Sequence, residues 1–155
     1  MKRRHLLGLG LLLPAGGFLF APRRAMARTN QARTNQEGGV AVRGTDVVAY
    51  VTEGRARPGL PAFAHDWQGA RWLFATAAHR DAFAADPARY APAYGGFCAF
   101  AVSEGYTAPI DPEAWRIVEG RLFLNHDRGV HRRWERDMAR RITRGDANWP
   151  RLARQ

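Results

Sequence analysis

Two short strand-like runs, each turned back on itself at a glycine, limit what this chain can fold into more than any other feature. Phe63, His65 and Trp67 alternate with Ala64 and Asp66, Gln68-Gly69 interrupts, and Trp72 and Phe74 resume the alternation. A period of two on either side of a two-residue glycine turn predicts a β-hairpin with one aromatic face. Trp115 to Val118, Glu119-Gly120 and Arg121 to Asn125 predict a second hairpin.

Helix signals surround the hairpins. Asp46 can cap a short helix from Val47 to Val51, and Thr76 one from Ala77 to about Ala85. Asp86-Pro87 places a cap before a first-turn proline, and Asp111-Pro112-Glu113 reads as a second such start. Gly95-Gly96 precedes an apolar helical segment, Phe97 to Val102, that Gly105 can close. Gly129 to Arg144 predicts the longest helix, with Val130, Trp134, Met138 and Ile142 at steps of four along one stripe. Trp67, Trp72, Trp115 and Trp134 fall at core-like positions. The expected fold is α+β: a small single domain of two β-hairpins packed with short helices and one longer C-terminal helix.

The first 27 residues read as an export signal. Lys2-Arg3-Arg4 is a positive start, residues 5–22 carry no Arg, Lys, Asp or Glu, and Ala25-Met26-Ala27 has the small-x-small pattern of a cleavage site after Ala27. Arg3-Arg4-His5-Leu6-Leu7 resembles a twin-arginine signal, and the glycine-diluted apolar stretch with Arg23-Arg24 fits that route. The general route stays open. Either one sends the chain out of the cytoplasm, to a bacterial periplasm. Ala27-Arg28-Thr29-Asn30-Gln31 is then repeated at once as Ala32-Arg33-Thr34-Asn35-Gln36. Residues 28–39 read as a polar linker, 40–150 as the domain and 151–155 as a tail.

The formal charge of +10 is unevenly placed. Beyond residue 27 the chain holds 19 basic and 14 acidic side chains, and residues 128–155 alone hold nine Arg against three acids. An exported chain makes nucleic acid a poor partner. Contact between the C-terminal basic helix and anionic lipid headgroups stays open, beside the plainer reading of a solvated face.

Several blocks carry a family resemblance: Asp46-Val47-Val48-Ala49-Tyr50, His65-Asp66-Trp67-Gln68-Gly69-Ala70, Arg80-Asp81-Ala82-Phe83, Tyr94-Gly95-Gly96-Phe97-Cys98-Ala99, Asp111-Pro112-Glu113-Ala114-Trp115 and Asn148-Trp149-Pro150. Over nearly all of 40–150 the chain resembles the exported YHS-domain family. The resemblance implies a small domain associated with heavy metals, found beside copper-transport machinery. It also implies selenium at the position of Cys98 in some relatives. The small YHS module often reads Phe-Cys-x-x-x-Cys before its helix. Here Ala75 and His79 stand at those two positions, which weakens a metal site there.

Cys98 is the single cysteine, so an intrachain disulfide and a multi-thiolate zinc site are both excluded. Placed early in a helix after two glycines, it is expected to have a lowered thiol pKa. The plainer alternative is a buried core thiol. His65, on the aromatic strand face, and His79, early in its helix, are the candidate metal partners. His126 and His131 are five apart, a spacing that does not share a helical face. Cys98 with a histidine suits a soft or borderline ion, Cu(I) or Zn(II), in a shell completed by a partner. The preferred reading is a non-enzymatic metal-binding or metal-homeostasis module. The alternatives are a thiol redox enzyme using Cys98 as nucleophile, and a structural or adaptor domain with an inert Cys98.

Overall fold

Asp46 organises the first half of the domain. In the computed structural model, which describes residues 33–155, its carboxylate is wholly buried. Oδ1 accepts from the Val48 and Ala49 amides at 2.9 and 3.2 Å and so starts α1 (Val47–Thr52). Oδ2 accepts from the Ala75 amide at 2.9 Å, just ahead of α2 (Ala77–Ala85). One side chain thus joins a helix start to the end of a strand.

That strand belongs to the expected hairpin. With β1 (Gln36–Glu37) and β2 (Val40–Ala41) numbered first, it consists of β3 (Leu60–Trp67) and β4 (Ala70–Phe74). Gln68 and Gly69 both adopt positive φ, as a tight turn with the hand of the sheet twist requires. His65 faces Trp72 across the pair. The sheet order is β1-β2-β4-β3, with β2 parallel to β4. Phe83 of α2 is the centre of the aromatic face: its ring stacks on Trp72 at 5.1 Å and meets Phe74, Trp67 and His65.

The second hairpin, β5 (Asp111–Val118) with β6 (Arg121–Asn125), begins earlier than expected. Asp111-Pro112-Glu113, read as a helix start, is strand: Asp111 pairs with Asn125. Proline is tolerated there because the pairing is irregular between Asp111 and Trp115. Between the hairpins, α3 (Pro87–Tyr90) keeps its Asp86 cap, and α4 (Ala99–Glu104) ends at Gly105 in the left-handed conformation.

The long C-terminal helix is two helices, α5 (Arg128–Glu135) and α6 (Met138–Leu152). The chain breaks at Asp137, which leaves helical geometry and occupies the position before α6. Its carboxylate pairs with Arg140, and Arg141 pairs with Glu104 of α4. The stripe survives the break: Val130 and Trp134 are buried, and Met138 and Ile142 close a second core with Tyr94, Phe97 and Phe123. α6 also runs past the expected end, and at Gly145 Tyr94 presses on its backbone. A Cβ there would stand 2.5 Å from the Tyr94 hydroxyl. Leu152, expected in a free tail, is buried.

Residues 33–39, expected as linker, are built into the domain. Thr34 and Asn35 are buried, and β1 and β2 form a small hairpin over Gly38-Gly39. Polar residues can be buried when their hydrogen bonds are met. Asn35 does so by donating to the Gly95 and Gly96 carbonyls. Residues 1–32, which include the expected export signal, lie outside the described residues. Among the described residues no helix is long and apolar enough to cross a membrane.

Candidate functional site

Cys98 does not sit inside a helix; it is the residue before α4, with its amide donating to Ala108 O at 3.0 Å. Its side chain is buried, 1% exposed. Burial pushes the thiol above its usual range, against the lowering expected from the sequence. The N–H groups of Ala101, His126 and Phe100 pull the other way, toward thiolate, and are outweighed. A six-residue helix is too short for its dipole to reverse that balance.

The sulfur lies 3.8 Å from Asn125 Oδ1 at the end of β6. Asn125 is completely buried. The same oxygen accepts from the Phe100 amide at 3.1 Å, and Nδ2 lies 3.1 Å from His131 Nδ1. An amide nitrogen can only donate, so His131 Nδ1 carries a lone pair and its proton is on Nε2. Nε2 in turn faces Glu135 at 3.3 Å, and Arg116 holds that carboxylate at 2.7 Å. Burial pushes the His131 pKa down, with Glu135 opposing.

A half-open pocket of about 310 Å³ borders the thiol. Phe100, Tyr106 and Ala108 supply its apolar wall, and His126 and Arg133 its polar side. His126 Nδ1 lies 3.1 Å from Pro109 O. A carbonyl only accepts, so Nδ1 carries the proton and Nε2 the lone pair. His126 precedes Asp127, the cap of α5, and so lies outside the helix that carries His131. The two histidines approach Cys98 separately, one along the pocket wall and the other through Asn125.

The other sequence candidates lie in different surroundings. His65 is half-buried with its ring edge-on to Phe83 at 6.0 Å, a packing role. His79 Nδ1 bonds buried Asp46 Oδ2 at 2.6 Å, while Nε2 faces Thr52 Oγ1 at 3.4 Å and Glu53 at 3.8 Å. That bond ties α2 to the cap of α1. Among the described residues no three His, Cys, Asp or Glu side chains are grouped to hold a metal ion. Among the described residues Cys98, His65 and His79 therefore make no joint site. Asn125 was missed in the sequence, and His126 was weighed there only as a partner of His131. Their only signal there is position, directly between a strand and the Asp127 cap.

Comparison with family models, with curated proteins and with solved structures finds no match for this chain.

Proposed function

We propose that this chain is an exported, YHS-like module that carries a soft monovalent metal ion as cargo, bound by the Cys98 sulfur and His126 Nε2. The observation that supports this reading is one pocket holding a thiol beside an imidazole whose lone pair lies on Nε2. Thiolate and imidazole are the donors that soft ions prefer.

Charge decides between ions. No carboxylate lines the pocket, and Arg133 does. Binding forms an S–metal bond and breaks the S–H bond, and the proton leaves to water. With Cu(I) or Ag(I) the product is neutral. With Zn(II) one positive charge would remain in a largely apolar pocket next to a guanidinium, which is costly. Two donors from one chain suit an ion that is handed on, with a partner completing the shell. The raised thiol pKa weighs against a redox nucleophile, and no second cysteine is present to resolve an oxidised one.

Native mass spectrometry of residues 28–155 with Ag(I), beside Zn(II), tests the reading. One Ag(I) per chain is expected, lost in Cys98→Ser and weakened about tenfold in His126→Gln, a loss typical of disturbed metal sites. Silver retained in Cys98→Ser would overturn it. Metal-free protein with an unreactive Cys98 would leave the structural reading.

A further inference from the structure

We propose that the cleft between Gly95-Gly96 and the end of α6 is a peptide-recognition site that reads Arg-Thr-Asn, and that the upstream copy Arg28-Thr29-Asn30 competes with Arg33-Thr34-Asn35 for it.

The recognition is visible residue by residue. The Arg33 amide donates to Ala153 O at 3.3 Å, and its guanidinium lies 4.9 Å from the centre of the Phe97 ring. Thr34 is buried, with its hydroxyl 3.4 Å from Gln68 O. Asn35 is held three times. Its amide donates to Gly95 O at 2.8 Å, its Nδ2 to Gly96 O at 2.9 Å, and its carbonyl accepts from the Val42 amide at 2.9 Å. Gly95 has no Cβ, and one placed there would collide with Arg33 O. The cleft is thus shaped to this backbone and selective for an asparagine side chain.

The chain contains that ligand twice. Residues 27–31 and 32–36 are both Ala-Arg-Thr-Asn-Gln. A slip of five residues puts Arg28, Thr29 and Asn30 into identical contacts and Gln31-Ala32 into the place of β1. Nothing buried is lost, because Gln36 and Glu37 are exposed. What changes is the hairpin turn, which grows from Gly38-Gly39 to residues 33–39. Closing seven residues instead of two disfavours the slipped register by a factor of about seven, from the three-halves-power dependence on loop length. One molecule in about eight then occupies the slipped register.

Trypsin cleavage after Arg33 and hydrogen exchange of the Val42 amide, on residues 28–155, read the two registers. Arg33 is exposed, but the bond after it is held by buried Thr34 in one register and lies in the loop of the other, whereas Val42 stays bonded in both. Asn35→Ala is expected to speed cleavage after Arg33 at least about fivefold while Val42 stays protected, since Asn30 takes over. The pair Asn30→Ala with Asn35→Ala is expected to lose Val42 protection. Asn30→Ala alone should slow the residual cleavage, a reading that survives if Asn35→Ala fails to fold. Loss of Val42 protection in Asn35→Ala alone would overturn the proposal. So would a double variant identical to Asn35→Ala, or a concentration-dependent dimer showing that a neighbour's copy fills the cleft.

Discussion

Asn125 and His131 lock each other's orientation across 3.1 Å: the amide donates, the imidazole accepts, and the Asn125 oxygen is left facing Cys98 and the Phe100 amide. A neutral His131 is built into the fold. Its folded pKa lies below the ordinary 6.5, chiefly through burial. The unfolded chain therefore binds more protons in the interval just below pH 6.5. The stabilisation from His131 is complete above that value and is lost as pH falls through the folded pKa. Urea midpoints of the natural chain should fall across this interval, and His131→Gln should flatten that part of the curve.

Asp46→Ala removes a helix cap, leaves the Ala75 amide without an acceptor and strands His79. A loss of about 3 kcal/mol is expected, the sum of a cap and an unmet buried donor. Equilibrium urea unfolding measures it. A loss under about 1 kcal/mol would mean that water replaces the carboxylate.

Phe83→Ala deletes the ring shared by Trp72, Trp67, Phe74 and His65. The cost should fall in the range of about 3–5 kcal/mol for emptying an aromatic core site. Near-UV circular dichroism should weaken at the same time, because two tryptophans lose their packed neighbour.

Gly145→Ala runs against helix propensity. In an open helix the change gains about 1 kcal/mol. Here the new methyl meets the Tyr94 hydroxyl at 2.5 Å and Cζ at 2.8 Å, so a net loss of about 1–3 kcal/mol is expected. Thermal denaturation decides the sign, and combining the change with Tyr94→Leu should recover part of the loss.

Cys98 should react slowly with iodoacetamide in the native chain and at least about tenfold faster in urea, because burial both covers the thiol and keeps it protonated. Equal rates in the two conditions would show an open site.

Much of the framework was legible because its signals are local. Asp46, Thr76 and Asp86 each cap the helix that follows, and Gln68-Gly69 and Glu119-Gly120 both turn with positive φ. What escaped was set by distant residues. Asp111-Pro112 satisfies the local rule for a helix start, but Asn125 is its partner across the sheet. Thr34 and Asn35 are polar and looked unable to hold a fold, yet Gly95 and Gly96 lie ready to receive them. At the candidate site, the position of Cys98 after two glycines suggested a thiolate. The closing of β6 over it buries the sulfur instead.

The bond from the Arg33 amide to Ala153 O joins the first described residue to nearly the last. Residue 33 is made well before residue 153, so this contact can form only after α6 has been synthesised. A translation product truncated before α6 lacks that partner and leaves Tyr94 without the helix that covers it.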